Sequence, residues 1–114
     1  MHVLHGTAGP ETPGKPIARW MWHYADGAEE TSQVTYGQDV QDWWVKPGEE
    51  SKAQPGPGRV VWRGSNPRAS EEGQSLRLYL RTWENPRPDV VVQSLDYASA
   101  LTESAPFLIA ITVE

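Results

Sequence analysis

Apolar residues in this chain recur at every second position, in segments closed off by Gly, Pro and Asp. Residues 15–24 set the pattern. Ala18, Trp20, Trp22 and Tyr24 fall on one side of an extended chain, and Ile17, Arg19, Met21 and His23 on the other. Asp26-Gly27 follows, a pair that accepts the positive φ of a tight hairpin turn, and a return strand runs through Val34 and Tyr36. Residues 40–45, 59–63, 74–83, 89–97 and 107–113 read as further strands, while no long window holds a 3.6-residue apolar stripe. This spacing predicts an all-β fold, a jelly-roll-like β-sandwich of seven or eight short antiparallel strands. Trp20, Trp22 and Tyr24 are expected in the core. In 74–83, Leu76, Leu78 and Leu80 point one way and Arg77, Tyr79, Arg81 and Trp83 the other, with the arginine face expected outward. Phe107, Ile109, Ile111 and Val113 are expected to share a face, and the first and last strands to pair.

A length of 114 residues predicts one domain over 1–114, enough to bury roughly two-thirds of the unfolded surface. The stretch 46–58, with Pro47, Gly48, Pro55, Gly56, Pro57 and Gly58, reads as a surface loop, since the halves beside it are each too small for a core of their own. Polar 65–73 reads as another loop. Cysteine is absent, which removes disulfides and thiolate metal sites. A net charge of −5 without a Lys/Arg cluster argues against nucleic acid as a partner. No apolar run approaches the ~20 residues of a membrane span. The first residues lack the basic head and long apolar stretch of a signal peptide, so the compartment stays open.

Six Trp and four Tyr raise the question of which rings fill a core and which meet a ligand. Tyr36, Asp39, Asp42, Trp43 and Trp44 place rings and carboxylates within nine residues. A sugar needs both: a ring against its C–H face and acceptors for its hydroxyls. In extended chain Trp43 and Trp44 point to opposite sides, so one ring at most joins a platform. The competing reading is a tight loop stapled to the sandwich, with Asp39 or Asp42 holding backbone N–H groups. Trp83, beside Arg81 and Tyr79, is a further candidate contact. His5, His23 and Asp26 carry metal-ligating groups without ligand spacing. Calcium held by Asp39, Asp42 and loop carbonyls is a weak alternative, and no other cofactor is expected. Glu29-Glu30, Glu49-Glu50 and Glu71-Glu72 read as solvated turn charges, and no serine sits in a nucleophile elbow. The chain is therefore read as a non-enzyme.

Several phrases together resemble the galactose-binding-like jelly-roll module of large bacterial extracellular proteins, often found beside glycoside hydrolase domains. They are Leu4-His5, His23-Tyr24-Ala25-Asp26-Gly27, Tyr36-Gly37-Gln38-Asp39-Val40-Gln41-Asp42-Trp43-Trp44, Val61-Trp62-Arg63-Gly64, Trp83-Glu84-Asn85-Pro86-Arg87-Pro88, Ser94-Leu95-Asp96-Tyr97 and Ala105-Pro106-Phe107-Leu108-Ile109-Ala110-Ile111-Thr112. The resemblance covers nearly the whole chain. Two departures are the Gly/Pro-rich loop and a chain that begins and ends with the module. What the resemblance implies is a non-catalytic carbohydrate-binding or accessory role at a cell surface, with a polysaccharide and neighbouring domains as partners. The alternative is a structural or protein-interaction sandwich whose faces pack on neighbouring domains or on a second copy as a homodimer.

Overall fold

The structure is a computed structural model that describes residues 1–49 and 56–113. The expected loop at 46–58 falls partly on residues 50–55, outside the described ones, as does Glu50 of the Glu49-Glu50 pair. The elements run β1 (His2–Ala8), β2 (Pro16–Tyr24), β3 (Glu29–Thr35), β4 (Trp44–Val45), β5 (Arg59–Gly64), α1 (Pro67–Glu71), β6 (Ser75–Thr82), β7 (Val92–Ser99) and β8 (Ala105–Thr112). Every pairing between the described strands is antiparallel. The eight strands form two sheets, so the chain is an all-β sandwich. In the larger sheet β6 pairs with β1, which pairs with β8; β4 and β5 also pair with β6. Leu76 meets both Trp44 and Gly64, so β4 and β5 flank β6 on opposite sides. The smaller sheet has the order β3-β2-β7.

The β2–β3 hairpin forms where the alternation and Asp26-Gly27 place it. Gly27 takes φ +87°, and the Ala28 N–H donates to Asp26 Oδ1 at 3.0 Å. β1 pairs with β8 as well as β6, joining the first and last strands. Trp20, Trp22 and Tyr24 are buried in the core with Val3, Ile17, Val34, Val40 and Tyr79. Trp20 packs on Tyr97 at 4.6 Å and on Trp83 at 6.0 Å, knitting the two sheets together.

Two expected faces are reversed or broken. Val3 opposes Arg81, and fully buried His5 opposes Tyr79, so Arg77, Tyr79, Arg81 and Trp83 form the inner face of β6. Leu78 and Leu80 look outward. The inward arginines are tolerated because each finds a partner: Arg81 Nε donates to Asp39 Oδ1 at 2.7 Å, and Arg77 Nε donates to the Asp42 carbonyl at 2.9 Å. In β8 a register shift splits the expected common face. Phe107 opposes Gly6 on the outer side, and Ile111 opposes Val3 on the inner side.

The stretch expected as a loop at 65–73 contains α1. Asn66 caps it, accepting the Ala69 N–H on Oδ1 at 2.8 Å, with Pro following the cap and Ala69 buried. Asn66→Ala is expected to lower stability by about 1 kcal/mol in urea unfolding, the typical worth of such a cap. Asn66→Asp, which keeps the acceptor, should lose much less.

Candidate functional site

The segment 36–44 is a compact tie between the sheets. Gly37 takes φ +91°, which turns the chain so that its N–H reaches the Val40 carbonyl at 2.8 Å. Asp39 and Thr35 then clasp each other. The Asp39 N–H donates to the Thr35 carbonyl at 3.0 Å, and the Thr35 N–H donates to Asp39 Oδ2 at 2.7 Å. Asp39 is only 4% exposed, and Arg81 holds its other oxygen. Asp42 Oδ1 accepts from the N–H groups of Gly9 at 3.1 Å and Trp44 at 3.2 Å. The Asp42 N–H donates to the Tyr36 hydroxyl oxygen at 3.0 Å, and the Trp43 N–H to the Thr7 carbonyl at 2.9 Å. Tyr36 is buried, and that burial raises its hydroxyl above the ordinary tyrosine range. Both carboxylates thus hold backbone or arginine groups, the arrangement of a stapled loop.

The sequence candidates therefore separate. Tyr36, Asp39 and Trp83 are buried. Trp83, 5% exposed, meets His5 edge-on at 5.6 Å and carries the Arg81 guanidinium 4.7 Å above its ring. Asp42, Trp43 and Trp44 are half-buried. Trp43 and Trp44 do not point apart: the chain bends at Trp43, and the rings meet at 5.7 Å, 68° to each other. Trp43 also stands edge-on to Phe107 at 5.2 Å.

The histidines lie in different places. His5 is inside the sandwich, and neither ring nitrogen reaches hydrogen-bond geometry. Burial lowers its pKa from 6.5 to about 4, against the opposing pull of the Asp39 carboxylate and backbone; Arg81 adds to the lowering. Across the β1–β6 pair, Tyr79 likewise has no partner for its hydroxyl, and burial pushes it up to about 12. His23 is on the outer side of the smaller sheet, with Nε2 2.8 Å from Asp96 and Nδ1 3.1 Å from Glu29. Asp26 pairs with Arg87 at 2.9 Å. Among the described residues no group of three or more His, Asp or Glu is placed to hold a metal ion.

A surface not singled out in the sequence is the outer side of the larger sheet. Trp62 opposes Leu78 there and is 44% exposed. Its indole lies across Gly64, where a Cβ would come within 2.3 Å of the ring. Phe107 lies across Gly6 in the same way, with 2.5 Å left for a Cβ. Between these rings run Leu4, Leu78 and Leu80, and Arg59 is the one Lys, Arg, Asp or Glu that the described strand register places on this side. A large ring two residues before a glycine, Trp62-Arg63-Gly64, was the available signal. It is weak, because many such triplets are turns.

Hollows also open among the described residues. A cleft of about 340 Å³ at one end is walled by Met1, Trp22, Val92, Leu95 and Val113, with Asn85 and Ser94 as its polar groups. Asn85 Oδ1 is engaged by the Tyr24 hydroxyl at 2.5 Å and the Arg87 N–H at 2.9 Å. A more open hollow of about 310 Å³ lies between Pro13-Gly14 and Tyr36-Gly37-Gln38. Compared with known proteins, the chain matches no family model, no curated protein and no solved structure.

Proposed function

We propose that the chain is a non-catalytic module that holds a polysaccharide against the outer side of its larger sheet. The observation that carries this reading is Trp62, a half-open indole laid across a glycine on a face nearly free of formal charge. A ring in that attitude offers its π face to the C–H side of a sugar. Trp43, Trp44 and Phe107 supply a second aromatic group. From β5 to β8 is three strand spacings, roughly 14 Å, room for more than one sugar ring. The resemblance to galactose-binding-like modules supports the same direction, with the contact moved to Trp62 from Tyr36, Asp39 and Trp83.

The test is affinity electrophoresis in gels containing soluble polysaccharides, followed by titration of any that retard the protein. Trp62→Ala should stay folded, because the ring is half in solvent, and should bind at least about tenfold more weakly, the loss of one stacking contact of about 1.4 kcal/mol. Undiminished binding by that variant, or no retardation by any polysaccharide, rejects the proposal. A second reading, a protein-interaction sandwich, is favoured by the leucines between the aromatic groups and by the engagement of both Asp39 and Asp42 inside the fold. That reading makes Trp62 a protein contact and expects no polysaccharide to bind.

A further inference from the structure

We infer that β8 is a docking edge, and that its occupant is the β8 strand of a second copy, paired antiparallel about a two-fold axis. The described sandwich has five edge strands: β4, β5 and β8 in the larger sheet, β3 and β7 in the smaller; β4, at two residues, is too short to template another strand. An open edge offers unpaired N–H and C=O groups to any other strand, and charged side chains are the usual guard against that. Three of the edges carry that guard. β3 has Glu29 and Glu30, β5 has Arg59 and Arg63, and β7 has Asp96. Paired with its own copy, each would bring like charges together. β8, Ala105–Thr112, carries no charge. Its one described partner strand is β1.

The side chains agree with the backbone. Ile109 is 55% exposed and Ile111 44%. Leu101 and Val113, which flank the strand, are exposed as well. Isologous pairing sets this apolar row against itself and leaves no charge facing a charge. A foreign strand would find nothing ionic on β8 to select it, whereas a second copy supplies a matching uncharged row. The assembly joins the two larger sheets into one of ten strands, with both Trp62 faces at its far margins. The inference does not depend on what Trp62 binds, because β5 and β8 are opposite edges of the sheet.

The experiment is sedimentation velocity on the full chain from roughly 1 µM to 1 mM, at low and high salt. A reversible monomer–dimer equilibrium is expected. It should tighten as salt rises, because each copy carries −5 and no charge lies at the contact. Ile109→Lys and Ile111→Lys should each weaken the dimer at least about tenfold, while Thr31→Lys on the guarded edge β3 leaves it unchanged. Circular dichroism checks that each variant is folded. As a measurement without substitution, amide exchange across residues 107–112 should slow as wild-type concentration rises. A monomer throughout the range, a dimer that survives both lysines, exchange independent of concentration, or open-ended oligomers would each overturn the inference.

Discussion

Asp39→Ala is expected to remove about 3 kcal/mol of stability in urea unfolding, the scale for breaking one side of a buried ion pair. Asp39 joins two elements far apart in sequence. One oxygen holds Arg81 on β6, and the other holds the Thr35 N–H at the end of β3. Truncation strands both donors. Arg81 cannot simply swing into water, since it is mostly covered and rests on Trp83. A domain of this size holds about 5–15 kcal/mol in total, so the loss is a large share. Arg81→Met in the Asp39→Ala background should recover stability, because it removes the uncompensated charge while keeping an apolar stem over Trp83. A loss below about 1 kcal/mol for Asp39→Ala, or no recovery in the double variant, would show that the pair behaves like an exposed one.

The second large effect is a dependence on pH set by His5. In the unfolded chain this imidazole titrates near 6.5; in the fold burial lowers it to about 4. Above 6.5 both states are neutral and stability is whole. As pH falls from 6.5 to 4 the unfolded state takes up a proton that the folded state refuses, so stability falls, by about 3 kcal/mol at the limit. Below 4 this contribution is flat. His5→Phe removes two polar atoms that have no hydrogen-bond partner, so it should change stability at pH 7 by less than about 1.5 kcal/mol and abolish most of the slope between pH 6.5 and 4.5. Urea midpoints across that window are the measurement. Parallel curves for wild type and His5→Phe would show that His5 is not the group responsible.

Much of the sandwich could be read from local pattern. Period-two alternation placed Trp20, Trp22 and Tyr24 in the core, and Asp26-Gly27 placed the hairpin, because both depend on near neighbours in the chain. What failed depended on distant partners or on a break in the period. The inner arginine face of β6 is stable only because Asp39 and the Asp42 carbonyl arrive from another part of the chain. Val60 and Trp62, two apart, take opposite faces because a register shift lies between them; the shift in β8 separates Phe107 from Ile111 likewise. An extra residue in one strand leaves no mark in composition. Of the candidate contacts, the cluster at 36–44 was visible as a group, but which members face solvent depended on the bend at Trp43 and on the staple through Asp42. Asn66-Pro67 was a legible cap and helix start that a polar context hid.

The placement of β1 bears on how the polypeptide comes off the ribosome. It comes before the other described strands in chain order, yet it is central, with β6 about 75 positions downstream on one flank and β8 about 100 on the other. Until those are synthesised, Val3 and its neighbours have no lateral mates, and a nascent chain must shelter them. Such long-range closure makes for slow maturation and a late, all-at-once commitment of this sandwich, which waits on its later strands.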